Sequence, residues 1–167
     1  METLYYLDKF QKSADRLDKK LFNQEKLEYK VGIWLQSAVL KFQKKSWLNN
    51  SPTAKPFKES IFCSVWPNDE SIREGKLNYN IHALKLRQLA GYSIKSREFA
   101  DAFRRRFKPF AKKWPNVSVD FGPLTLMQGW VAFDEENFEA IVIDLSCKFL
   151  EIAFIMDDLL AERKKGG

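Results

Sequence analysis

The strongest chemical signal in the chain is a run of cations. Between Lys95 and Lys113 stand eight basic residues (Lys95, Arg97, Arg104, Arg105, Arg106, Lys108, Lys112 and Lys113) and two acidic ones, Glu98 and Asp101. The whole chain has 28 basic and 22 acidic residues, so everything outside this run is balanced and the net charge of +6 sits within it. Lysine and arginine neutralise phosphates and release their counterions, which is the main attraction between proteins and nucleic acids. Projected at ~100° per residue, Arg97, Arg104, Arg105, Lys108 and Lys112 share one outward arc, opposite a stripe of Phe99, Ala102, Phe103, Phe107 and Phe110. Those five are the residues expected to meet an acidic partner. Arg106 projects onto the apolar side and must reach past it to water or find a carboxylate.

A second polar set alternates along residues 77–89. Leu77, Tyr79, Ile81 and Ala83 point one way; Asn78, Asn80 and His82 point the other, followed by Lys85 and Arg87 after a slip in phase. A β-bulge at Ala83 and Leu84 would restore the phase and align Asn78, Asn80, His82, Lys85 and Arg87 into one row. Such a row could line a groove for a small anion, or be simply the wet face of an antiparallel sheet.

No constellation for covalent or metal chemistry stands out. His82 is the only histidine, no serine or cysteine stands beside it at a recognised spacing, and Cys63 and Cys147 lie far apart in apolar sequence. Both cysteines are expected as buried free thiols, with no metal and no cofactor. Asp69, Glu74 and Lys76 faintly resemble the acidic-lysine pattern of magnesium nucleases. They crowd into one turn before a strand, with no intervening strand to set the geometry of the carboxylates.

The elements that must position these residues follow from periodicity. Leu7, Phe10, Ala14, Leu17 and Leu21 place a helix over about residues 2–22, and Leu27, Val31, Trp34, Ala38 and Phe42 suggest a second one reaching about Lys45. Residues 49–56, with two prolines and no large apolar group, are a loop. Strands are expected at Glu59–Trp66, Leu77–Leu89, Val117–Phe121 and Leu124–Phe133. Ser96 is expected to cap the basic helix, which Pro109 should kink or restart. Asp134 is expected to cap a long final helix. Phe138, Val142, Leu145, Phe149, Ile152, Met156 and Leu159 form one apolar side of that helix, and Ile143, Cys147, Leu150 and Phe154 a second, so it should be packed on both sides.

A chain of 167 residues with fourteen Phe and five Trp can bury a full core. The expected architecture is one α+β domain over 1–167, in the order ααββαββα. It divides into a helical hairpin (2–46), a loop (47–57), an α+β core (58–163) around an antiparallel sheet of four or more strands, and a frayed tail (164–167). The most apolar stretch, residues 140–156, is interrupted by Asp144, Lys148 and Glu151, which excludes it as a membrane span. The opening Met-Glu-Thr-Leu-Tyr-Tyr lacks the basic and apolar regions of a secretion signal, so a cytoplasmic location is expected.

These features lead to a non-enzymatic binding domain that uses its basic helix on nucleic acid. The alternative is a protein-protein module of the adaptor, immunity or chaperone sort, meeting an acidic protein or forming a homo-oligomer through the C-terminal helix. A third class is a binder of small anions, or an enzyme, on the polar row.

Overall fold

The structure, a computed structural model, describes residues 2–166. In chain order the elements are α1 (Glu2–Asp15), α2 (Lys19–Gln24), β1 (Glu28–Trp34), β2 (Ser37–Gln43), β3 (Ser60–Trp66), α3 (Asp69–Arg73), β4 (Lys76–Leu84), α4 (Ser96–Phe107), β5 (Thr125–Ala132) and α5 (Phe138–Glu162). Short 3₁₀ turns occupy Lys45–Trp47, Leu86–Gln88 and Lys108–Lys113. The five strands form one antiparallel sheet in the order β1-β2-β3-β4-β5. The α+β class, the antiparallel sheet, the basic middle helix and the long apolar C-terminal helix are as the sequence led us to expect.

Residues 28–43 correct the expected second helix: they form the β1-β2 hairpin. Their helical spacing coexists with a true alternation, in which Ala38, Leu40 and Phe42 are buried beneath the helices while Val39, Lys41 and Gln43 take the opposite face. The turn gives no warning. Leu35 and Gln36 adopt φ of 50° and 66°, the left-handed pair that a two-residue hairpin needs and that Asn-Gly usually supplies. The hydroxyl of Thr3 in α1 donates to the Gln36 carbonyl (3.0 Å) and ties the turn to the helix. Likewise α1 stops at Asp15 rather than Phe22, because the Asp18 carboxylate accepts from the Leu21 amide (3.1 Å) and starts α2.

Other boundaries move for equally local reasons. Instead of a bulge at Ala83 and Leu84, β4 runs unbroken to Leu84. Lys85 then turns the chain at φ 56°, sending Leu86 to the core. The register irregularity lies opposite Ile81 and His82, where β5 carries the extra residue Leu126. Lys95 occupies the N-cap of α4 without a side-chain bond, and α5 is capped at Asn137, which exchanges backbone-to-side-chain bonds with Asp134 (2.7 and 2.9 Å). The expected frayed tail is held through Lys165, whose amide donates to the Gly91 carbonyl (2.9 Å), while Lys164 bridges to Tyr92; Gly167 lies outside the described residues.

Residues 117–121 do not form a strand. Only Ser118 pairs with the sheet, by reciprocal backbone bonds to Gln128 (2.8 and 3.0 Å), and Val119 and Phe121 are exposed. The outer edge of β5 is closed by separate donors instead. Asn116 takes the Trp130 carbonyl (3.1 Å), the Ser118 amide takes Gln128, and Arg104 takes Leu126 (3.2 Å). An edge strand covered in this way offers no free ladder to another chain.

The helices cover one face of the sheet. α5 lies between α1 and α4 and is buried along Phe138, Val142, Leu145, Phe149, Ile152, Met156 and Leu159. Phe149 meets Phe42 of β2 (ring centroids 5.6 Å) and Trp114 (5.0 Å), and Trp114 reaches Tyr79 of β4 (5.1 Å). Asp157 near the end of α5 accepts from Lys44 (2.7 Å) and from the buried Trp47 indole (2.8 Å), anchoring the exit of β2. Its second apolar side is not packed as expected: Phe154 is 47% exposed and Cys147 is exposed, so only Cys63 is a buried thiol, raised in pKa by that burial.

Gly129 of β5 lies under the Tyr79 ring. A Cβ there would overlap the Tyr79 hydroxyl and sit 2.9 Å from the Asn116 carbonyl. Gly129→Ala is therefore expected to cost about 2 kcal/mol or more in chemical denaturation, as overpacked sites do. Gly122→Ala, where a Cβ meets nothing within 4 Å, is expected to be nearly neutral.

Candidate functional site

The basic run divides into three groups once folded. Arg104 is consumed internally: its guanidinium donates to the carbonyls of Leu126 (3.2 Å), Phe121 (3.0 Å), Gly122 (3.0 Å) and Thr125 (2.9 Å). Arg106 finds the carboxylate its position required, Glu162 of α5 (2.6 Å), and Lys113 pairs with Glu151 (3.2 Å). Both pairs are exposed and contribute little to stability. Lys95, Arg97, Arg105, Lys108 and Lys112 are exposed and have no ion pair among the described residues.

Arg87 joins this third group. The 3₁₀ turn after β4 carries it off the strand, and it lines a shallow depression with Lys95, Arg97, Glu98, Asp101 and Arg105. Glu98 is already held by Arg163 through two bonds (2.8 and 2.6 Å), and the guanidinium keeps its carboxyl below the usual range. Asp101 is the one carboxylate of the depression without an ion pair among the described residues, against four cations.

The polar row is correspondingly split. Lys85 turns to Glu59 (3.6 Å) and Arg87 goes to the α4 surface, leaving Asn78, Asn80 and His82 on the strand face away from the helices. That face is largely covered rather than wet. Trp34, Phe62 and Trp66 stand on it, and Lys41, Phe62, Ser64 and Asn80 are buried there. Together with Leu35, Ser37, Val39, His82, Leu84 and Gln128 they line a cavity of about 520 Å³ with no aspartate or glutamate in its wall.

Lys41 is the centre of this cavity. Its ammonium donates to the Phe57 carbonyl (2.9 Å) and lies over the rings of Trp34 (4.2 Å) and Phe62 (4.7 Å). Burial, with Lys58 adding positive charge, lowers its pKa to about 8. His82 lies against Phe62 (4.9 Å) and is lowered to about 4, by burial first and then by the Lys41 charge. The imidazole is therefore neutral at neutral pH. Its Nε2 accepts from the Asn80 amide (3.1 Å), placing the ring proton on Nδ1.

Among the described residues, two buried side-chain polar atoms remain without a hydrogen-bond partner, Ser64 Oγ and Asn80 Oδ1, and both residues line this cavity. Sequence reasoning reached Asn80 and His82 but missed Lys41, Trp34 and Ser64, since reading residues 28–43 as helix hid which face they share. The available signal was the alternation of Val39, Lys41 and Gln43 against Ala38, Leu40 and Phe42. No group of three or more His, Cys, Asp or Glu side chains is placed to hold a metal ion among the described residues, and none of the helices described is long and apolar enough to cross a membrane.

The fold and site thus define a two-layer α+β domain with a helical face and an aromatic-lined open face. Comparison with protein-family models, with curated proteins and with solved structures finds no match to this chain.

Two stability measurements check these assignments. Arg104→Ala should cost about 2 kcal/mol by stranding carbonyls that a charged donor now satisfies, whereas Arg105→Ala should change stability by less than about 0.5 kcal/mol. His82 should leave a pH signature. Its folded pKa lies below the ordinary value of 6.5, so its contribution is complete above pH 6.5 and is lost as pH falls towards 4. Between pH 7 and 5.5, before carboxylates titrate, urea denaturation should show a loss of about 1 kcal/mol that His82→Gln abolishes.

Proposed function

We propose that the protein is a binding domain that engages an acidic partner, nucleic acid before others, through the surface of α4 and the 3₁₀ turn that follows it. The observation that carries this reading is the set of exposed cations left over after Arg104, Arg106 and Lys113 are committed within the fold. Arg97 and Arg105 come from α4, Lys108 and Lys112 from the 3₁₀ turn that continues it, and Arg87 and Lys95 flank its start. Cations held on a helix whose other side is fixed by Phe99, Phe103 and Phe107 can follow a phosphate backbone without much ordering cost.

Anisotropy titration of labelled single-stranded and duplex oligonucleotides tests it. Binding is expected at roughly 50 mM salt and should weaken steeply by roughly 200 mM. Replacing Arg97, Arg105 and Lys108 together by Glu should remove it without changing the circular dichroism, while single alanine changes should each lower the salt slope by about one. A folded sample that binds neither oligonucleotide at the lower salt rejects the reading.

The α5 surface favours a second reading, a protein-protein module that self-associates. Ile143, Cys147, Leu150 and Phe154 form a partly exposed stripe of heptad spacing, and Leu21 (39% exposed) adjoins its Cys147–Phe154 end. Sedimentation should then show a dimer that Phe154→Glu dissociates. A monomer at all concentrations removes this alternative.

A further inference from the structure

We propose that the open face of the sheet, around Lys41, is a binding site for a small organic monocarboxylate with a flat aromatic body and a hydrogen-bond donor at its far end. The site is independent of the α4 surface, which lies in the helical layer on the other side of the sheet.

The charge of the ligand follows from what is missing around Lys41. An ammonium has three donors, and here one is used, on the Phe57 carbonyl. The groups facing it from neighbouring elements are cationic or neutral: Lys58 in the covering loop, Lys30 opposite it on β1, Ser64 opposite it on β3, and neutral His82 on β4. Glu59 in the same loop is turned to Lys85. Removing a cation from water without an anion is costly, and an anion arriving from outside would offset that cost. Among the described residues, Lys41 is the one lysine or arginine lining the cavity, which matches one negative charge, whereas a phosphate dianion would bring a second charge that no group in the wall neutralises.

The body and the donor follow from the wall. Trp34 lies across its own strand, with its ring 2.9 Å from where a Cβ of Gly32 would stand, so the glycine is what lets the indole fold over towards Lys41. Phe62 and Trp66 of β3 line the same cavity, so a flat ring would meet an aromatic wall there. A volume of about 520 Å³ is that of a small-molecule site. The unpartnered Ser64 hydroxyl can donate to a carboxylate oxygen, and the unpartnered Asn80 Oδ1 can accept from a ligand O–H or N–H. Both are more than nine-tenths buried, so their cost persists until a ligand or bound water satisfies them.

The test uses the full chain and two probes, 4-hydroxybenzoate and indole-3-carboxylate, with 4-hydroxybenzamide as the neutral comparison. Tryptophan fluorescence should change saturably, because Trp34 and Trp66 line the site, and thermal unfolding should shift upward with a carboxylate probe. The amide should bind at least tenfold more weakly. Affinity for the carboxylates should be level between about pH 5.5 and 7, above the range in which the probes and His82 take up protons, and fall as pH rises past about 8, where Lys41 loses its proton.

Lys41→Met should retain the fold, remove a buried charge and weaken carboxylate binding at least tenfold. If that variant misfolds, the pH profile of the unaltered chain decides alone. The proposal is overturned if neither probe saturates below about 1 mM, if acid and amide bind equally, or if Lys41→Met binds as well as the parent. Replacing Arg97, Arg105 and Lys108 by Glu should leave these titrations unchanged, which separates this site from the nucleic-acid surface.

Discussion

Helices cover only one side of the sheet, and the rest of the molecule adjusts to that constraint. α1, α5 and α4 form a single layer over the residues that alternate inward from β2, β3 and β4. Among the described residues the other side has no second layer and would present a broad, poorly covered surface. The chain hides it with large side chains laid flat, Trp34 over Gly32 and Trp130 under Lys76 (4.4 Å), and with the loop between β2 and β3. That loop hangs from two outward side chains of β2. Gln43 donates to the Glu59 and Ile61 carbonyls (2.8 and 2.9 Å) and accepts from the Phe57 amide (2.8 Å), while Lys41 takes the Phe57 carbonyl. The arrangement fixes the loop and also traps an ammonium among aromatic rings.

The two edges of the sheet are treated differently, and this decides the fate of the basic helix. β1 carries Glu28 and Lys30 on its outer strand, and charges there discourage pairing with another chain. β5 is instead closed by Arg104, Ser118 and Asn116. Arg104 and Arg105 are adjacent, have the same charge and share the same helical arc, yet one is a structural clamp and the other an exposed cation. Their difference arises from the approach of residues 121–126, which brings four carbonyls within reach of one guanidinium. A surplus of charge in a sequence thus does not fix which cations a surface can offer.

Much of the fold was legible because long elements repeat their signal. α5 carries its apolar spacing over about six turns, α4 its phenylalanine stripe, and β4 a clean alternation from Leu77 to Ala83. The β1-β2 hairpin was not legible. Its apolar residues satisfy a helical and a strand period at once, and the turn between them uses Leu35 and Gln36 in place of glycine or asparagine. Leu35, which is 99% exposed at the mouth of the cavity, is the cost of that choice.

The amino-acid sequence by itself determined the class of fold, the apolar sides of the long helices, the location of all the net charge and the polar identity of Asn80 and His82, since each depends on residues close together in the chain. Only the tertiary structure decided which cations remain free, because that turns on carbonyls and carboxylates as far along the chain as Glu162. It alone also placed Lys41 opposite Ser64 and beneath Trp34. Strand register sets those neighbours, and register is settled by burying one face of every strand at once, a condition that no short segment contains.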